Sequence, residues 1–268
     1  MMRFWSLTAL AGWLVLLSQA PGLAATSPPL RPPAVPLVTA DPYLSVWSCA
    51  DHLTDDVTRH WTRAEHSLVS LIRVDDQAFR LMGNEPKDVP ALPQISVEVL
   101  PTRTIYGFQN PAVHVTLTFL TPALPDDLDV LSRPLTYLTW DVRTVDGKEH
   151  AVSVYYSTSS QLAVNTPDEK VAGSRPQING LVALAIGTVD QPVLQKKGDN
   201  MRIDWGYAYT AAPGTPAAAI GADEACTTAF VRTGKLPVSD ESGAPRAVSD
   251  DQPVEAMVLD FHNVGSRT

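Results

Sequence analysis

Twenty-three prolines spread along 268 residues constrain this chain more than any other feature. Each removes a backbone donor and crowds the turn before it, so long helices would be broken again and again. What lies between the prolines is alternation. Residues 113–120 (VHVTLTFL) put Val113, Val115, Leu117 and Phe119 on one side and His114, Thr116 and Thr118 on the other. Residues 136–145 repeat the pattern with Leu138, Trp140 and Val142. A period of two is the signature of a half-buried strand. Asp146-Gly147 then reads as a tight turn into a strand over 150–157, so the spacing predicts a hairpin. Further strands are expected over 95–100, 181–186, 203–210 and 254–261, and one helix over the Ala-rich stretch 215–233. The predicted class is mainly β: an antiparallel β-sandwich with a loop-rich leading segment and one short helical excursion.

The first 25 residues read as a cleavable export signal. Arg3 gives a positive start, residues 4–18 are uncharged and apolar, and Pro21, Gly22, Ala24 and Ala25 follow. The apolar run is shorter than the ~20 residues a spanning helix needs. An exported, periplasmic or secreted protein with no membrane contact after cleavage is therefore expected. Residues 26–36 hold five prolines and read as an extended linker. Beyond it, 37–95 form the leading segment and 96–268 the sandwich. Loss of Arg3 with the signal takes the net charge from −9 to −10. So acidic a chain, without basic runs, would be repelled by phosphate backbones, so no nucleic acid is expected as ligand. Cys49 and Cys226 are its two cysteines. They read as two separate buried thiols or, in an oxidising compartment, as one disulfide. No Cys/His spacing suggests zinc, and no metal or cofactor is expected.

The familiar catalytic signatures GxSxG, HExxH and the phosphate-binding GxxxxGK[ST] do not occur. The acidic run Asp126-Asp127-Leu128-Asp129 lacks calcium-loop spacing and reads as a solvated turn. Two segments are unusual for a plain scaffold. Residues 41–66 (DPYLSVWSCADHLTDDVTRHWTRAEH) crowd Trp, Tyr, His, Arg and Asp together without a clean period. Flat rings beside charged groups are what a polar small-molecule pocket needs; a loop-rich cap plugged by Trp47 and Trp61 is the plainer alternative. Residues 198–209 (GDNMRIDWGYAY) are expected to put Asp204 on the solvent side of a strand, or to pair Asp199 and Asp204 with Arg202.

In these segments the chain resembles the glutaminase A family of secreted glutaminases. The resemblance is carried by RPPAVPLVTADPYLSVWS (31–48), LTDDVTRHWTRAEHSLVSLIRVD (53–75), PTRTIYGF (101–108), LTFLTPALPDDLDVLSRPLTYLTWDV (117–142), DGKEHAVSVYY (146–156) and GDNMRIDWGYAY. It implies a leading segment followed by the family's N-terminal β-sandwich, without the large C-terminal α/α-toroid domain where the main catalytic machinery is expected. It also implies that the complete form hydrolyses glutamine to glutamate and ammonia, that the sandwich packs against the toroid, and that this chain alone is inactive. Catalytic residues are not assigned. Asp41, Trp47, Arg59, His60 and Trp61 are expected as rim or substrate contacts, followed by Asp204 and Trp205. A carbohydrate-binding module, or part of a glycoside-hydrolase-like enzyme, is the competing reading. One departure is local: the family usually has Gly where this chain has Arg63, so a positive φ there would strain an Arg.

Overall fold

The computed structural model describes residues 31–241 and 245–265. The expected export signal lies outside them. Each named strand pairing is antiparallel.

The expected linker ends early, because its last two residues open a strand: β1 (Val35–Thr39) pairs with β2 (Ser45–Ser48) as a hairpin. The next strands, β3 (Leu68–Val74) and β4 (Gln77–Met82), enter a five-stranded sheet. β5 (Gln94–Leu100), β6 (Arg103–Gln109), β7 (Val113–Leu120) and β8 (Tyr137–Thr144) form a four-stranded meander. Between β7 and β8 a single helical turn, α1 (Leu128–Leu131), is capped by the Asp127 carboxylate on the Val130 amide at 3.0 Å.

β9 (His150–Ser159) leads into a 3-10 turn at Ser160–Ala163, then β10 (Lys170–Ser174), β11 (Leu181–Thr188) and β12 (Ala208–Pro213). β13 (Ala217–Ala222), α2 (Asp223–Thr233), β14 (Arg246–Ala247) and β15 (Pro253–Val264) complete the described chain. The five-stranded sheet runs β13-β15-β9-β3-β4, and a second four-stranded sheet runs β12-β11-β10-β14.

Alternation explains the layering. On β15, Val254, Ala256 and Val258 join Val69, Leu71 and Tyr155 under Phe230 and Cys226 of α2. Residues of the opposite parity face two sheets side by side. Leu68, Ile72 and Val154 pack with Tyr106, Phe108, Val115 and Phe119 of the β5–β8 meander. Met257 of β15 and Ile220 of β13 pack with Val171, Leu184 and Ile186 of β10 and β11. The interior strand β3, covered on both faces, is buried at every position. The mainly β, antiparallel class holds, with two sheets sharing one face of a third.

Three expectations change. β8 and β9 are consecutive strands but not a hairpin: β8 pairs with β7, and β9 pairs with β3 and β15. The Asp-Gly turn, with Gly147 at φ 78°, is a corner carrying the chain between sheets. The Ala-rich part of the expected helix is strand β13, and only Asp223–Thr233 is helical. Six pairings with β15 override alanine's helical preference there, while Asp223 and Glu224 in the first turn favour the helix start. Finally, residues 203–207 are not strand; β12 begins at Ala208.

Candidate functional site

The richest polar cluster lies where the β1–β2 turn meets the loop before β3. Asp41 accepts the amides of Tyr43 (2.7 Å) and Leu44 (2.9 Å), an Asx turn that fixes the connection. This holds the Pro42 carbonyl in place, and it accepts two donors: His60 Nε2 at 2.9 Å and Trp61 Nε1 at 2.8 Å. His60 Nδ1 lies 2.9 Å from Thr62 Oγ1 and accepts the Thr62 amide at 3.3 Å. The neutral Nε2–H tautomer satisfies both sides of the ring. Burial holds the His60 pKa below its ordinary value, with Arg202 adding repulsion.

Beneath it lies His66, fully buried, its ring centroid 4.8 Å from that of His60. Burial first, and then His60 and Arg202, push it down to about 3, so it stays uncharged. Trp61 stands half exposed beside His60, with ring centroids 5.5 Å apart and planes at 41°.

The second motif segment reaches this cluster through Arg202. Its guanidinium donates to Thr62 Oγ1 at 3.4 Å, to the Asn200 carbonyl at 3.3 Å and to the Asn165 carbonyl, while its amide donates to Asn165 Oδ1 at 3.0 Å. Arg202 therefore does not serve the expected Asp199–Asp204 network. Asp204, expected on the solvent side, is buried. Lys196 Nζ lies 2.8 Å from its Oδ2 and also pairs with Glu169. Burial opposes the charge on Lys196, but the two carboxylates outweigh it and hold its pKa above the usual value. Asp204 thus anchors a loop. Trp205 is half-buried beside it.

The remaining expected residues frame the cluster. Trp47 and Arg59 exchange backbone hydrogen bonds at 2.7 and 2.9 Å. Trp47 Nε1 donates to Ser45 Oγ at 2.6 Å, and the Arg59 guanidinium is taken up by Asp56 at 3.2 Å, which lowers the Asp56 pKa. Arg59 also donates to the Arg63 carbonyl at 3.3 Å. Arg63 sits at φ 75°, the left-handed geometry foreseen from its mismatch with glycine. Both cysteines are free thiols; Cys226 is buried, whereas Cys49 is only partly so and lies 3.6 Å from the Arg63 guanidinium.

Asp41, His60 and Trp61 are thus brought together around Pro42, with Trp47 and Arg59 behind them and Asp204 and Trp205 apart. Thr62, His66, Asn165 and Arg202 complete the cluster and were not foreseen. Arg202 lay inside a motif already singled out, but nothing in its spacing pointed to a partner 140 residues away. Chemically the cluster offers an exposed indole face and a guanidinium, which suit a polar ligand bearing an anionic group. It offers no activated nucleophile, and both His60 nitrogens are occupied. No group of three or more His, Cys, Asp or Glu side chains is placed to hold a metal among the described residues. Two grooves of about 950 and 640 Å³ contain none of these residues.

The antiparallel layers and the aromatic–histidine cluster define a β-rich unit with a preformed polar end. Residues 102–268 match the family described as Domain of unknown function (DUF5127), and residues 16–94 match Domain of unknown function (DUF4964). The chain belongs to the first of these, which takes in more than half of its length. It is similar to "Glutaminase A" of Aspergillus oryzae (strain ATCC 42149 / RIB 40), 30% identical over 263 residues. The match takes in 91% of this chain and 36% of that relative, so the chain spans about a third of the relative's length. The resemblance read from the motifs is borne out by this homologue.

Proposed function

We propose that these residues are the N-terminal β portion of an exported glutaminase-A-like amidohydrolase whose complete form converts glutamine to glutamate and ammonia. In this reading the Trp61–His60–Arg202 end forms part of the rim over which substrate passes. The observation that carries it is the meeting of two remote motif segments through Arg202 and Thr62. A guanidinium suits the α-carboxylate of an amino acid, and an exposed indole supplies flat contact. Hydrolysis also needs a nucleophile or activated water and donors for the developing oxyanion. The cluster supplies none of these, so the reacting groups are assigned to a helical domain outside these residues, against which the sandwich would pack. Homology to a fungal glutaminase supports the substrate class and an exported protein. No described helix is long and apolar enough to cross a membrane.

The test is ammonia release from glutamine. The purified chain is expected to give none above buffer, while a full-length relative under the same conditions turns substrate over. Release by the chain itself would put the catalytic groups among these residues and overturn that division of labour.

A further inference from the structure

Glu255 is the third residue of β15, on the face that meets the β12-β11-β10-β14 sheet, and is fully buried. Its flanking same-face neighbour Met257 belongs to the apolar cluster of Val171, Leu184, Ile186 and Ile220. The two sheets approach closely here: a methyl group placed on Gly173 of β10 would lie 2.8 Å from Ile220 of β13.

Among the described residues, neither carboxyl oxygen of Glu255 has a hydrogen-bond partner of normal geometry. The Thr210 hydroxyl on β12 lies alongside, but its single proton goes to Thr158 Oγ1 at 2.8 Å, and Thr158 in turn donates to the Tyr156 hydroxyl at 3.1 Å. A carboxylate stripped of water and poorly served by donors is strongly disfavoured, whereas the neutral acid is tolerated. Burial accordingly pushes Glu255 up to about 8, against an opposing pull from Thr210 and the backbone of Ile186 and Thr210.

Among the described residues, no compensating charge faces it. β11 and β13 carry no ionisable side chain. On β9, Tyr156 shares its face and is itself held un-ionised by burial, while Tyr155 points to α2. On β12, Tyr209 is exposed. Lys170 of β10 is exposed, and Arg246 of β14 pairs with Glu241. Arg73 of β3 reaches the Val231 carbonyl on the α2 side.

We propose that Glu255 is a protonation-dependent clasp: as a neutral acid it lets the β12-β11-β10-β14 sheet close on the five-stranded sheet, and on losing its proton to solvent it loosens that sheet while the β5–β8 meander stays in place. The connection between β11 and β12 carries Arg202, so the same release slackens the tie to Thr62.

The sign follows from linkage. Below about pH 4.5 native and unfolded chains are both protonated at this site, and above about 8 both are ionised. Between these values the native state alone holds the proton, so stability falls as pH rises and the unfolding constant grows up to tenfold per pH unit. Denaturant unfolding from pH 4.5 to 9, on wild type and Glu255→Gln, reads this directly. The wild-type constant should climb relative to the variant across the window, because every other titrating group cancels in the comparison. Hydrogen exchange, corrected for intrinsic rates, should show β10–β12 amides losing protection at pH 8.5 in wild type only. Equal pH profiles for the two proteins, or equal loosening of β5–β8, would overturn the clasp. Should Glu255→Gln not fold, carbon-13 titration of the wild-type Glu255 carboxyl decides: a midpoint near 8 supports it and one near 4.5 refutes it.

Discussion

At the scale of single residues, Arg63 shows how a sequence mismatch becomes strain. Its φ of 75° closes the turn in which its amide bonds the His60 carbonyl at 2.9 Å. A left-handed backbone costs a residue with a Cβ roughly 1–2 kcal/mol, which glycine avoids at some loss of chain entropy. Arg63→Gly should therefore raise stability by about 0.5–1 kcal/mol, read as a higher melting temperature; a lower one would mean that the contact of the Arg63 guanidinium with Cys49 outweighs the strain. This geometry was legible because one residue type at one position carries it. The fate of Asp204 was not: its sequence neighbours suggested an exposed carboxylate, and only the fold reveals Lys196 beside it. The His60–Pro42 contact was equally hidden, since the acceptor is a backbone carbonyl that carries no side-chain signal.

Among elements, β7 with its one wet face was readable, as were β11 and β15 despite their buried runs, whereas β3 was not. β7 alternates buried and half-buried along its whole length and was found with its true ends. β3 is buried throughout, so its apolar run carries no period of two. β13 misled because alanine favours helices locally while cross-strand pairing decides. The helix that follows is fastened by Phe230, fully buried and 5.4 Å from the Tyr155 ring. Phe230→Ala should cost about 3–5 kcal/mol in denaturant unfolding; a loss under about 1 kcal/mol would show that α2 adds little to the fold. At the other end of the central sheet, His150 on β9 sits between Asp75 at 2.8 Å and Asp146 at 3.2 Å. Asp75 chiefly, with Asp146, raises the His150 pKa. The clamp's stabilisation is thus complete below the unfolded histidine value of about 6.5 and is lost as pH rises through the raised native one. His150→Gln should flatten that part of the stability profile; an unchanged slope above pH 6.5 would show that the pair contributes nothing.

For the whole molecule, composition and turn spacing were enough for the mainly β, antiparallel class but not for its layering. Alternation along a strand reports that one face is covered, not which sheet covers it, so two sheets lying side by side on a third read like a simple sandwich. The same limit governs the site: residues 41–66 and 198–209 were each visible as unusual, and only the path of the chain through β9–β11 sets Arg202 against Thr62. We propose that this meeting point faces the substrate of a glutaminase-A-like enzyme. Its most direct test is steady-state glutamine kinetics in a full-length relative carrying alanine at the positions that match Trp61 and Arg202. Folded variants whose KM rises about tenfold are expected, the equivalent of ~1.4 kcal/mol of lost substrate contact. Unchanged KM and kcat in both variants would contradict it and leave the cluster a structural cap.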